Sequence, residues 1–174
     1  MASLGERMFR AAKLDVDLYE EVEADQSATG QAVGVVVLSS LAAGLGAGAV
    51  SGIFLGTISA LVGWYIWAFL TYWIGTRLLP EPQTEADVGQ LLRTTGFSSA
   101  PGLIRILGIV PGLRGVVFVA AAIWMLVAMI IAVRQALDYR GTGRAVGVCA
   151  IGWLVQLLIF ALFAGLFGGF GRPV

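Results

Sequence analysis

The chain has 174 residues, 58% of them hydrophobic and only 13% charged, with eleven basic side chains against eleven acidic ones and no histidine. An ordinary soluble domain carries about 25% charged residues, so a soluble fold is excluded, and the zero net charge argues against nucleic acid as a partner. The missing histidine removes Ser–His and Cys–His nucleophile pairs and every His-based metal site, and the lone Cys149 forms no intramolecular disulfide.

With a mean hydropathy of +0.87, the chain reads as an all-α integral membrane protein. The expected architecture is a five-helix transmembrane bundle with a short broken third helix and N-terminal amphipathic helices. Residues 1–28 form a cytoplasmic arm and residues 29–174 the transmembrane domain.

Within the arm, Ala2–Lys13 has the pattern of a basic amphipathic helix suited to an anionic lipid surface. Leu4, Met8, Phe9 and Ala12 are read as its apolar side, with Arg7, Arg10 and Lys13 exposed. Asp15–Asp25 follows with six acids and no base. Asp17 followed by Glu20 predicts a capped second helix. The run from Asp15 to Glu20 lacks the glycine and third side-chain ligand of a calcium loop. The arm also lacks the apolar core of a cleaved leader. Ala2 stands where myristoylation needs glycine, and Gly171–Val174 is no prenylation box, so the helices themselves are expected to hold the chain in the membrane.

Five apolar stretches follow, at about 29–49, 52–75, 96–111, 115–133 and 145–167. All but the third match the roughly 20 helical residues that cross a hydrocarbon core of about 30 Å. With the N-terminus cytoplasmic, the inner side receives Arg7, Arg10, Lys13, Arg77, Arg93, Arg134, Arg140 and Arg144. The outer side receives Arg114 and Arg172. That asymmetry fits the positive-inside rule and predicts five crossings in the cell membrane with the C-terminus outside.

Gly44, Gly48, Gly52 and Gly56 recur at four-residue intervals where the first two stretches meet, a spacing that lets helix backbones approach; some of them must form the turn, so only part of the series can be a packing face. Trp64, Tyr65, Trp67, Phe69, Tyr72 and Trp73 form an aromatic belt ahead of Arg77. In the loop Pro80–Thr95, Thr84 is expected to cap a short helix whose Val88, Leu91 and Leu92 face lipid.

The third stretch is broken. Pro101 suits a first helical turn with Ser98 or Ser99 as its cap, and Pro111 and Gly112 stop it. That leaves about ten helical residues, roughly 15 Å, with irregular backbone expected at Gly96–Ala100. Arg105 lies inside it. A centred arginine costs about 2.5–3.5 kcal/mol even on lenient insertion scales. It is read either as an anion or lipid-headgroup site or as a side chain that snorkels to the interface. The acidic run of the arm likewise has two readings. It is held internally by Arg77, Arg93, Arg134, Arg140 and Arg144, or by a basic partner protein.

The chain resembles a family in the order of its weak motifs. Arg10-Ala11-Ala12 with Leu14-Asp15 precedes Tyr19-Glu20-Glu21-Val22-Glu23-Ala24-Asp25 and a glycine-rich helix pair. Then come Gly75-Thr76-Arg77-Leu78-Leu79, Leu92-Arg93-Thr94-Thr95-Gly96-Phe97, Ala100-Pro101, Ile123-Trp124 and Ala132-Val133-Arg134-Gln135-Ala136-Leu137. This series is similar to that of bacterial members of the YIP (Ypt/Rab-interacting) family of five-span membrane proteins.

The resemblance implies a non-enzymatic scaffold or adaptor without a cofactor. Tyr19, Glu20, Glu21, Glu23 and Asp25 would contact a cytoplasmic or membrane protein, or a second copy of the chain. Eukaryotic relatives bind prenylated GTPases, although this arm is shorter than theirs. The alternative is a small transporter, channel or lipid-handling protein that uses Arg105 and the broken helix, with Arg77, Arg93 and Arg134 as further lipid, anion or structural positions.

Overall fold

The computed structural model describes residues 2–167, and every regular element among them is helical. In chain order these are α1 (Leu4–Ala12), α2 (Val16–Ala24), α3 (Thr29–Gly46), α4 (Ile53–Trp73), α5 (Val88–Phe97), α6 (Arg114–Ala136) and α7 (Thr142–Phe167). Four helical stretches, Gln26–Gly46, Val50–Leu78, Arg114–Ala136 and Thr142–Ile159, are long and apolar enough to cross a bilayer. The chain is a multi-pass membrane protein whose long helices pair as two hairpins, α3 with α4 and α6 with α7. Arg172, expected outside, lies beyond the described residues.

The third apolar stretch gives no fifth long helix. Gly96–Ala100 is not irregular as expected. It holds the end of α5 and a turn through Ser98 and Ser99, closed by Ser99 N–H to the Gly96 carbonyl at 3.1 Å. Ala100–Ile109 then winds as a 3₁₀ helix of ten residues, with Pro101 in its first turn and no side-chain cap from Ser99. At about 2.0 Å per residue it covers roughly 20 Å, shorter than a full span. Gln90 of α5 reaches Glu23 of α2, and Gln135 at the end of α6 reaches Glu20. The start of α5 and the end of α6 therefore share the arm's face. Together, α5 and the 3₁₀ helix carry the chain along the length of α6 to the opposite face.

A 3₁₀ run of this length is uncommon; here α3 holds it by direct backbone contact. A Cβ on Gly46 would overlap the carbonyl oxygen of Arg105, and one on Gly108 would come within 2.7 Å of the Gly46 carbonyl oxygen. Gly46 against the 3₁₀ helix is thus a small-residue contact of this bundle, as is Gly96 against Ala32. The four-residue glycine series divides between packing and turn, as expected. Only Gly44 of that series packs, against Ile53; Gly48 turns the chain at φ +69, and a Cβ on Gly52 or Gly56 would meet nothing.

Two apolar clusters fill the interior. One joins Met8, Ala11, Leu18, Tyr19 and Val22 of the arm to Ala32, Val35, Phe97 and Ala132. The other joins Ala68, Ile74, Leu91, Val133, Leu137 and Val148 around the α6–α7 turn. α4 ends in a π turn, Ile74–Leu78, and the Tyr139 hydroxyl donates to its Gly75 and Leu79 carbonyls at 3.1 and 2.8 Å. The aromatic belt divides. Tyr65, Phe69 and Trp73 are exposed on the bundle surface, whereas Trp67 is buried beside Met129 and the Trp64 indole donates to the Thr95 hydroxyl at 3.2 Å.

Several expected caps and faces move. Asp15, not Asp17, caps α2 by accepting from Asp17 N–H at 3.1 Å. Asp87, not Thr84, caps α5 in a capping box with Gln90. Leu91 is fully buried and Val88 and Leu92 are half-buried, so that side of α5 faces protein and not lipid.

Candidate functional site

The arm is seated on the bundle by its own arginines. Arg7, expected exposed, is 4% exposed, while Phe9, expected on the apolar side, is 62% exposed. The reason is helical register: Leu4, Arg7, Met8 and Ala11 share one side of α1 at spacings of three and four. The Arg7 guanidinium pairs with Glu21 and Asp25, both at 2.8 Å, and donates to Gln31 at 3.2 Å. Arg10 pairs with Asp15 at 2.7 Å and Glu21 at 2.6 Å. The acidic run is therefore held internally, chiefly by Arg7 and Arg10. Of the arginines expected to hold it, Arg93 alone reaches the run by hydrogen bonds, and it does so through backbone. Buried Arg93 donates to the Val22 carbonyl at 2.8 Å and to the Glu23 carbonyl. Those are orphan carbonyls at the negative end of α2, where a cation is favoured. From α6, the Trp124 indole donates to the Ala12 carbonyl at the end of α1 at 2.8 Å.

The candidate contact residues thus fall into two sets. Tyr19 is fully buried with its hydroxyl directed to the Ala11 carbonyl, and burial raises its pKa. Glu21 and Asp25 face Arg7. The Ser27 hydroxyl and Arg7 hold the Asp25 carboxyl at about 2, and Arg10 and then Arg7 hold Glu21 below the usual carboxylate range. Glu20 and Glu23 instead line an open concavity of about 570 Å³ with Gln83, Arg134, Asp138 and Arg140. Gln135 donates to Glu20 at 2.7 Å, and Gln90 donates to Glu23 at 3.0 Å. Arg134 sits at its edge and donates to the Tyr139 and Arg140 carbonyls, closing the α6–α7 turn. Arg144 holds Glu81 at 3.2 Å. Arg77 is exposed at the π turn.

Burial, followed by the nearby carboxylates of Asp138 and Glu20, raises the Glu23 pKa to about 7, with Arg93 opposing. A carboxyl raised in the folded state binds more protons there than in the released arm. Its stabilisation is complete below its ordinary pKa of 4.5 and is lost as pH rises through about 7. Asp15, Glu21 and Asp25 are depressed and act oppositely, losing theirs on acidification below the usual carboxylate range. Seating of the arm should therefore be firmest near pH 5 and loosen towards pH 8. A spin label at position 6 in a Cys149→Ala background would show rising mobility on the alkaline side, and Glu23→Gln should flatten that rise. An unchanged profile in Glu23→Gln would reject Glu23 as the titrating group.

The second candidate lies inside the bundle. Arg105, half-buried on the 3₁₀ helix, donates Nε to the Gly102 carbonyl at 2.9 Å. Its Nη2 donates to the Ser39 hydroxyl at 2.7 Å and the Ser39 carbonyl at 3.1 Å. It borders a cavity of about 490 Å³ between α3, α4 and α6 that reaches the α3–α4 turn. Sequence patterning missed Ser39, Arg7 and Tyr139. Only for Arg7 was a signal present, its place in the apolar stripe of α1.

A family model described as the Yip1 domain matches residues 18–163. No curated protein and no solved structure matches the chain. The match runs from within α2 to within α7 and takes in both the arm concavity and the Arg105 cavity; the chain belongs to the Yip1 domain family.

Proposed function

We propose that this Yip1 domain protein is a non-enzymatic scaffold of the cell membrane that engages a protein partner through the arm-side concavity. The N-terminus is cytoplasmic in this reading. α5 and the 3₁₀ helix make a composite crossing between α4 and α6, so the C-terminus lies outside. The observation that carries the reading is that the arm face is rigidly built while Glu20, Glu23 and Asp138 line an open depression at its centre. Glu20, Asp138 and a partly ionised Glu23 against Arg140 and an Arg134 committed to backbone carbonyls favour a partner segment carrying Lys or Arg. Tyr19, Glu21 and Asp25 support that surface from within.

The test is photocrosslinking in native membranes from position 138, with position 58 on the exposed face of α4 as the control. A discrete protein adduct specific to position 138, lost in a Glu20→Lys variant, is the expected result. Adducts identical at the two positions, or unaffected by Glu20→Lys, would reject the contact surface.

A further inference from the structure

Every Asp and Glu of this chain lies in three places: 6–25, 81–87 and 138. All three belong to the arm's side of the bundle. The path through α5 carries Arg105 away from that face and sets it about 10 Å short of the Val110–Leu113 turn, at roughly 2.0 Å per residue. No carboxylate side chain of the chain can neutralise it there. Among the described residues Arg105 makes no ion pair, and its Nη1 makes no hydrogen bond. The other two guanidinium nitrogens are fixed by Gly102 and Ser39, which holds the remaining donor edge in place.

Arg105 lines the cavity of about 490 Å³ together with the hydroxyls of Ser39 and Ser99, and Trp64, Phe118 and Met125 form its apolar wall. One boundary is the far half of α4, where no residue from Ile53 to Val62 is buried. A second cavity of about 290 Å³, lined by Leu126, Met129 and Trp153 among others, also touches Arg105. A fixed guanidinium, hydroxyls and an apolar wall open to lipid form a polar point with room for a chain beside it. Guanidinium recognises phosphate through paired, charge-assisted hydrogen bonds.

We propose that Arg105, with Ser99, binds a phosphate group in this intramembrane cavity, and that an anionic phospholipid carries it in from the leaflet beside the α3–α4 turn. This proposal is independent of the arm-side contact surface.

The full chain in nanodiscs of phosphatidylcholine doped with phosphatidylglycerol, analysed by native mass spectrometry, tests it. The parent should retain phosphatidylglycerol preferentially, and Arg105→Gln should retain about tenfold less, as expected for loss of charge-assisted hydrogen bonds. Gly56→Leu offers a second route. A Cβ at Gly56 meets nothing within 4 Å, yet the residue lines the cavity, so a leucine fills the space with Arg105 intact and should reduce retention similarly. In a parallel arm, the chain stripped of lipid in neutral detergent is heated with inorganic phosphate. An Arg105-dependent rise in Tm identifies the free anion as an occupant, while retention of phosphatidylglycerol unaffected by added phosphate identifies the lipid. Full retention in Gly56→Leu, or no Arg105-dependent response in either arm, would overturn the site.

Discussion

Replacing Gly46 by alanine should destabilise the bundle by about 3 kcal/mol, the upper part of the range for overpacking a tightly packed site. The new methyl would meet the Arg105 carbonyl oxygen, which belongs to the backbone of the 3₁₀ helix and cannot rotate away as a side chain would. Relief requires that helix to lift from α3, which would disturb the Arg105 bonds to Ser39 and the seat of Gly108 together. The matched control is Gly56→Ala, where open space surrounds the new Cβ. There the gain in helix propensity, about 1 kcal/mol, should leave stability equal or higher. Denaturant unfolding in detergent, followed by tryptophan emission, reads both. A Gly46→Ala chain as stable as the parent would mean that the 3₁₀ helix does not rest on α3.

Arg7→Ala should have the next largest effect, confined to the arm. Breaking a fully buried ion pair costs about 3–5 kcal/mol. Arg7 is 4% exposed, but the Glu21 and Asp25 side chains are 35% and 27% exposed. Water can take up part of their charge, so about 2 kcal/mol is a fair discount. That loss should free α1 and α2 before the membrane helices unfold. Limited proteolysis should cut the variant between α1 and α3 while α3 to α7 remain resistant. Cleavage no faster than in the parent would show that the apolar contacts of Leu18, Tyr19 and Val22 seat the arm without Arg7.

The long helices were readable because their signal is simple: about 20 apolar residues have few alternatives to a span. α3, α4, α6 and α7 all appear within a few residues of the expected positions. The third stretch was readable as broken, from Pro101, Pro111 and Gly112, but not as 3₁₀. That choice depends on Gly46 of another helix, which no local pattern of residues 96–111 contains. The glycine series from Gly44 to Gly56 was readable as part packing face and part turn, but not which glycine does which, since spacing shows which residues can pack and not what stands opposite them.

The arm was half readable. Its acidic run demanded cations, and the nearest ones, Arg7 and Arg10, answered the demand. Their exposure had been assumed from residue type, although Leu4, Met8 and Ala11 place Arg7 on the buried side of α1. The role of Arg93 could not be read, because a cation aimed at the carbonyl end of another helix leaves no trace in its own neighbourhood. The pairing of Ser39 with Arg105 spans 66 positions and is equally invisible in sequence.

The arm's partners lie far along the chain, with Ala12 bound to Trp124 across 112 positions and Glu20 to Gln135 across 115. At synthesis rates of about 5–20 residues per second, roughly 6–20 s pass between the appearance of α1 and that of its seat on α6. During that interval the arm can meet Gln31, Ala32 and Val35 of α3, but its contacts to α6 are not yet made. Six acids in Asp15–Asp25 keep the waiting segment hydrated, and one of them, Glu20, attaches to Gln135 once α6 is in place. The seat of the first helices is thus completed only after α6 has been made.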